Sequence, residues 1–321
     1  MKNLFFSIIF FCCLVSHATG TKDEFLASLP DSHGIILVNV EKLLNGAIPE
    51  LFNDESQKIT EIQQQIRSSS GLDLKEIEKI AISLNFIDTK RFEALVSIRL
   101  KQDPRVILEI LKAASAGKYK EEVVNGNTVY IFSTKEVLGK TQNNSMLKKI
   151  YELVFKNSSD EIAVFTKNNA FIFGSPSFVK SAIVKKDVLK ESLIKLLNLK
   201  QTPLIAVAGV TPYGLSAIID LEDDELGKAL AGVRQIQGWI DLVNENFSLS
   251  LSARTEKNNE AEVIRETLSV FQIMFKGILS SMQGRDKQVY AKMLNNLKIK
   301  GQNNLVEMSL EIPKQDIKSL F

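Results

Sequence analysis

The stretch Leu29-Pro-Asp-Ser-His-Gly-Ile-Ile-Leu-Val-Asn-Val-Glu-Lys-Leu-Leu44 limits the possible folds more than any other part of the chain. Pro30 to Gly34 is turn chemistry. Residues 35–40 follow as a nearly continuous apolar run with two isoleucines and two valines. Such a run suits a strand buried on both faces, hence a central one. Glu41 then opens a helix with Leu43, Leu44, Ile48, Leu51 and Phe52 at helical spacing, which Pro49 should break or restart. A fainter echo runs from Pro203 to Leu215. The two openings predict two related α+β halves.

What precedes this stretch reads as a targeting segment. Lys2 supplies a positive start, residues 4–15 an apolar core, and residues 16–20 small side chains that suit cleavage after Ala18 or Gly20. The apolar run is shorter than the about 20 residues of a spanning helix. Cys12 and Cys13 lie inside it behind Phe and Ile residues rather than small ones, which argues against lipidation. Both leave with the signal, so a cysteine-free mature chain is expected, without disulfides, thiolate nucleophiles or Cys-bound zinc. That mature chain would carry 39 basic and 38 acidic residues and no long block of one sign. A nucleic-acid footprint is therefore absent, and no later stretch reaches membrane-spanning length.

The remaining pattern is dense in hairpins. Residues 80–87 and 92–100 flank Asp88-Thr89-Lys90-Arg91, residues 119–132 turn at Asn125-Gly126, and residues 162–173 turn at Lys167-Asn168-Asn169. A last hairpin over 297–312 turns at Gly301-Gln302-Asn303-Asn304. Helices are predicted with Ile59, Ile62 and Ile66 on one face, over 105–114, over 147–155, after Ser175-Pro176, and over 187–201. In the second half, 204–210 reads as a strand and 226–243 as a long amphipathic helix with Leu230, Val233, Ile236, Ile240 and Val243 inward. Residues 247–255 alternate as a strand with a serine face. Residues 260–282 form a further helix, with Val263, Ile264, Leu268, Phe271, Phe275, Ile278 and Leu279 on its stripe.

Three times a strand ends, a proline follows, and an amphipathic helix begins: at Pro104, Pro176 and Pro313. The predicted fold class is α+β, with two pseudo-repeated halves and mostly antiparallel sheets packed by amphipathic helices. The expected divisions are a signal peptide over 1–20, a first half over 21–200 and a second over 201–321.

Leu-Pro-Asp-Ser before the first strand, Asn125-Gly126-Asn127-Thr128-Val129-Tyr130, and the run from Asn169 through Gly174-Ser175-Pro176-Ser177-Phe178-Val179-Lys180-Ser181-Ala182-Ile183 occur together. In these motifs the chain resembles a set of exported bacterial proteins of unknown function. Those proteins open on Leu-Pro-x-(Asp/Ser) and a strand, and later carry a Gly-(Ser/Thr/Asp)-Pro-x-x-Val-x-x-Ala-Ile segment. The resemblance covers about residues 28–186. It implies export and an α+β duplication, and its motifs punctuate a fold without marking an active site.

Chemistry-bearing constellations are scarce. His17 leaves with the signal and His33 alone remains, so neither a catalytic triad nor a multi-histidine metal site can be built. His33 reads as a solvated turn residue whose replacement by alanine changes little. Ser-x-x-Lys occurs at Ser145/Lys148, Ser177/Lys180 and Ser192/Lys195 among other places, but 28 serines and 32 lysines in 321 residues give about 2.8 such pairs by chance. Thr134 to Thr141 misses a phosphate-binding loop by its first glycine. Asp220 to Glu225 gathers five carboxylates, which reads as acids at a helix N-terminus rather than a calcium loop. Trp239 reads as packing rather than a sugar platform, and Asn143, Asn157 and Asn246 stand in glycosylation sequons.

The sequence thus singles out no catalytic, cofactor-binding or metal residue. It predicts an exported, soluble, non-catalytic protein of the periplasm or extracellular space with a structural or interaction role. A protein partner is expected, with no nucleic acid, no cofactor and no stable membrane insertion. The alternatives are a carrier or sensor of an apolar small molecule walled by the helices over 226–243 and 260–282, and a hydrolase using carboxylates or a Ser-Lys pair.

Overall fold

The computed structural model describes residues 24–27, 29–52, 56–70, 72–88, 91–135, 160–184, 189–197, 203–215, 222, 224–280 and 284–318. The targeting segment and the helix expected over 147–155 lie outside them. Among the described residues twelve strands form one antiparallel sheet: β1 (Gly34–Val38), β2 (Ile77–Phe86), β3 (Phe92–Leu100), β4 (Tyr119–Val124), β5 (Asn127–Ser133), β6 (Glu161–Lys167), β7 (Ala170–Gly174), β8 (Ile205–Val210), β9 (Val233–Val243), β10 (Asn246–Thr255), β11 (Lys298–Gln302) and β12 (Leu305–Pro313). Their order is β11-β12-β10-β9-β8-β1-β2-β3-β7-β6-β5-β4.

The α+β class follows the sequence reading. The opening strands of the two expected halves, β1 and β8, pair antiparallel with Gly34 opposite Gly209 and Val38 opposite Ile205. On its other side β1 pairs with β2. The apolar run is thus central, and it is walled in on both faces: Ile35, Leu37 and Val38 are all buried. A single sheet therefore crosses both halves.

Register makes the two faces distinct. Ile36, Ile82, Val96, Phe173 and Val164 fall on one face, because each is cross-strand partner to the next. Helix Arg105–Ala114 and the turns over 40–51 cover that face beside β1, with Val40, Leu43 and Leu108 buried among strand residues such as Leu100 and Phe132. Over its C-terminal strands lie Glu225–Ala231, Asn258–Ser280, Arg285–Asn296 and Lys314–Lys318. The opposite face buries Ile35, Leu37 and Ala208 under Glu24–Ala27 and Glu191–Leu197, and Leu95, Val129 and Ile172 under Pro176–Val184. On β10 this second face carries Ser248, Ser250 and Ser252, as the alternation predicts.

Pro49 restarts the helix rather than ending it, standing in the first turn of Ile48–Leu51. Residues Leu43–Ala47 form a π-turn between Val40–Lys42 and Ile48–Leu51, and Ile48 N–H bonds back to Leu43. The wider loop absorbs the backbone bond that proline cannot make.

One prediction is overturned. The segment 226–243 is a short helix, Glu225–Ala231, followed at Val233 by the long strand β9. Its apolar residues also satisfy a period of two: Ile236, Ile240 and Leu242 share the face opposite Gln235, Gln237 and Asp241. Gly238 carries the missed signal. A Cβ there would lie 2.8 Å from the Ser250 carbonyl, a close approach that belongs in a strand. Helix Arg285–Asn296 was not anticipated at all.

Candidate functional site

The side chains singled out by the sequence are dispersed. Ser177 donates to Glu93, and Lys180 pairs with Glu122 at 2.5 Å. Lys195 pairs with Glu191 on its own helix. Each of these lysines holds a carboxylate, so neither is placed as the base for its serine. Ser145/Lys148, residues 136–141, Asn143 and Asn157 lie outside the described residues. Of the acidic run, Asp224 caps Glu225–Ala231 by accepting from Gly227 N–H at 2.6 Å. Trp239 sits on β9 opposite Ala206 and Ser250, not in a helix. Among the described residues no cluster of three or more His, Asp or Glu groups could hold a metal.

His33 corrects the reading of a solvated turn. Its ring stacks on Phe86 with centroids 5.9 Å apart, and its Nδ1 accepts from Phe86 N–H at 3.1 Å. Its backbone ties three strands together: His33 N–H donates to Leu84, and its carbonyl accepts from Val210. Burial, then the nearby Lys190 ammonium, hold the imidazole below its ordinary pKa of 6.5, against smaller opposing effects of Asn85 and Asp31. It is a neutral acceptor built into the sheet.

The feature that demands an account lies on Asn258–Ser280. Its first turns are ordinary. Lys257 N–H donates to the Glu260 carboxylate at 2.9 Å, the reach-back of a capping box. Ala261 and Ile264 are buried among Val233, Ala229 and Val306. Beyond Ser269 the helix turns inside out. Gln272 faces the body and donates to the carbonyls of Leu294 and Leu297 at 2.6 and 2.7 Å, satisfying orphan groups at the end of Arg285–Asn296. Val270, Phe271, Ile273, Met274, Phe275 and Ile278 point outward, with exposures of 61, 41, 70, 45, 47 and 45%.

At about 100° per residue these six, with exposed Gly277 among them, cover an unbroken arc of roughly 200°. Phe271 and Phe275 stack along it, ring centroids 6.4 Å apart. With about 150–200 Å² for each whole side chain, the exposed fractions amount to roughly 500 Å² of apolar surface. That is near the upper end for a monomer's largest patch, where function is the usual reason. Residues 267–284 contain no acid and a single charge, Lys276. The sequence placed Phe271, Phe275 and Ile278 on a buried stripe; periodicity found the face but could not say that the fold leaves it uncovered.

Cavities offer less. The space beside Leu29, Phe165 and Ile183 measures about 30 Å³, room for one water. An open cleft of about 400 Å³ lies between Lys101–Arg105 and Asn168–Asn169, and its lining is polar.

No protein-family model matches the chain, and no curated protein matches it in sequence. Among solved structures, crystal form III of TP0453 aligns over 94% of this chain and 98% of that one, with TM-score 0.48 and 11% identity. Crystal form I of the same protein aligns over 94% and 97%, with TM-score 0.42 and 8% identity. Likeness of that degree leaves this chain's activity open.

Proposed function

We propose that this chain is an exported, non-catalytic interaction protein that works by docking the outward apolar face of Asn258–Ser280. The observation that carries the reading is the inverted half of that helix. A hydrogen-bonding glutamine faces the body while two phenylalanines, a methionine and three aliphatic residues face out. Export rests on the N-terminal pattern of residues 1–20. The dispersal of Ser177, Lys180 and Lys195 onto separate carboxylates supports a role without catalysis. Neither cavity described above favours the carrier of an apolar molecule, which needs an apolar pocket of about 300 Å³ or more.

The test is fractionation of source cells expressing the full chain. The wild type should sediment with the particulate envelope, and Ile273→Glu should move to the soluble fraction with an unchanged melting temperature, because Ile273 is 70% exposed. Equal distribution of the two forms would sink the proposal.

A further inference from the structure

We infer that the partner of this face is an anionic lipid surface, on which the helix lies flat without crossing; the inference rests on the docking reading above. Three observations select lipid. The first is shape: the apolar arc of roughly 200° is a convex ridge, which a fluid interface accepts and a protein groove would have to enclose. The second is charge. Residues 269–296, the ridge and the helix behind it, hold four basic residues against Asp286, whereas the rest of the chain holds 36 basic and 37 acidic residues. Lys292 is engaged with Asp316, and Lys276, on the ridge's own helix, suits a negative surface. The third is area. Two such faces together would bury about 1,000 Å², short of the roughly 1,200–2,000 Å² of a stable dimer.

The mode is peripheral. Among the described residues no helix is long and apolar enough to cross a membrane. The ridge extends over nine residues, about 13 Å, enough to sink side chains below the headgroups while the strands stay outside.

The experiment is flotation of the purified full chain with vesicles of phosphatidylcholine containing phosphatidylglycerol, and with vesicles of phosphatidylcholine alone. Binding to the anionic vesicles should be at least about tenfold stronger than to neutral ones and should weaken with salt. Ile273→Glu should abolish it, Ile273→Leu should keep it, and a Phe275→Trp reporter should shift to shorter wavelength on binding. Absence of flotation, equal binding to both vesicles, or binding that Ile273→Glu leaves intact overturns the inference. Concentration-dependent dimerisation lost in Ile273→Glu would overturn it in favour of a second copy. If vesicles fail while the variant still leaves the envelope fraction, the docking reading stands and the partner is a protein.

Discussion

Replacing His33 with alanine should cost stability, and the cost should depend on pH. The substitution strands the Phe86 N–H, which donates to Nδ1 at 3.1 Å in a part-buried position, and removes the ring stacked on Phe86. A stranded donor costs about 1–3 kcal/mol, and the lost ring contact adds about 0.5–1 kcal/mol. Partial exposure at the site holds the sum near 2 kcal/mol. For about 300 residues the unfolding entropy is about 0.6 kcal/mol/K, so the melting temperature should fall by about 3 °C at neutral pH. The acid limb follows from the lowered pKa. A base with a depressed folded pKa contributes stability that is fully present above its ordinary value of 6.5 and is lost as pH falls through the folded value. The physical causes are burial, which penalises the charged ring, and the nearby Lys190 ammonium; a protonated Nδ1 would also face the Phe86 N–H donor to donor. Melting should be followed by near-ultraviolet circular dichroism for both proteins at about pH 7.5 and about pH 5. The gap between wild type and His33→Ala should narrow at the lower pH. A gap of the same size at both values, or none at either, would refute the reasoning.

Two further outcomes test the sheet. Gly174→Ala would place a Cβ 2.5 Å from the Ala94 carbonyl and 3.0 Å from Leu95 Cα, both backbone atoms. The β3–β7 pair would have to part, at about 2–3 kcal/mol, read as a lower urea midpoint at unchanged slope. Asp241→Ala should cost about 2–3 kcal/mol, because it removes the carboxylate 2.6 Å from the mostly buried Lys42 ammonium. Lys42→Met combined with Asp241→Leu should recover most of that loss, and a double-mutant cycle that shows simple additivity would remove the pair from the account.

What the sequence made legible was local. Asn125-Gly126 turns with both residues at positive φ, and Asn168 and Asn303 do the same in their hairpins. Such turns are written in adjacent residues, so the strands of all four predicted hairpins pair, and three of the turns fall where predicted. The hairpin joining β9 to β10 was missed, although Asn244 and Glu245 occupy its positive-φ positions. Its first strand reads as helix because Val233, Ile236, Ile240 and Val243 are spaced three and four apart, whereas the period of two runs only through Ile236, Ile240 and Leu242. Helix Arg285–Asn296 offers little apolar periodicity beyond Val289 and Met293, and it is secured from outside by Gln272. His33 was misread for a related reason: its partner, Phe86, lies 53 residues away. The outward apolar face was half legible. Phe271, Phe275 and Ile278 lie on the predicted stripe and Val270, Ile273 and Met274 do not, and exposure depends on what packs against a helix, which its own period does not state.

The pairing of β1 with β8 has a consequence for how the chain comes to be folded. Gly34–Val38 gains its second neighbour only when residues 205–210 arrive, so the middle of the sheet closes over a loop of more than 160 residues. Closure at such separation is slow, and until it happens Gly-Ile-Ile-Leu-Val stands as a bare apolar edge open to pairing with other chains. A chain ending near residue 200 would keep that edge permanently. The first 200 residues, for all their hairpins, are therefore an aggregation hazard that the second half removes.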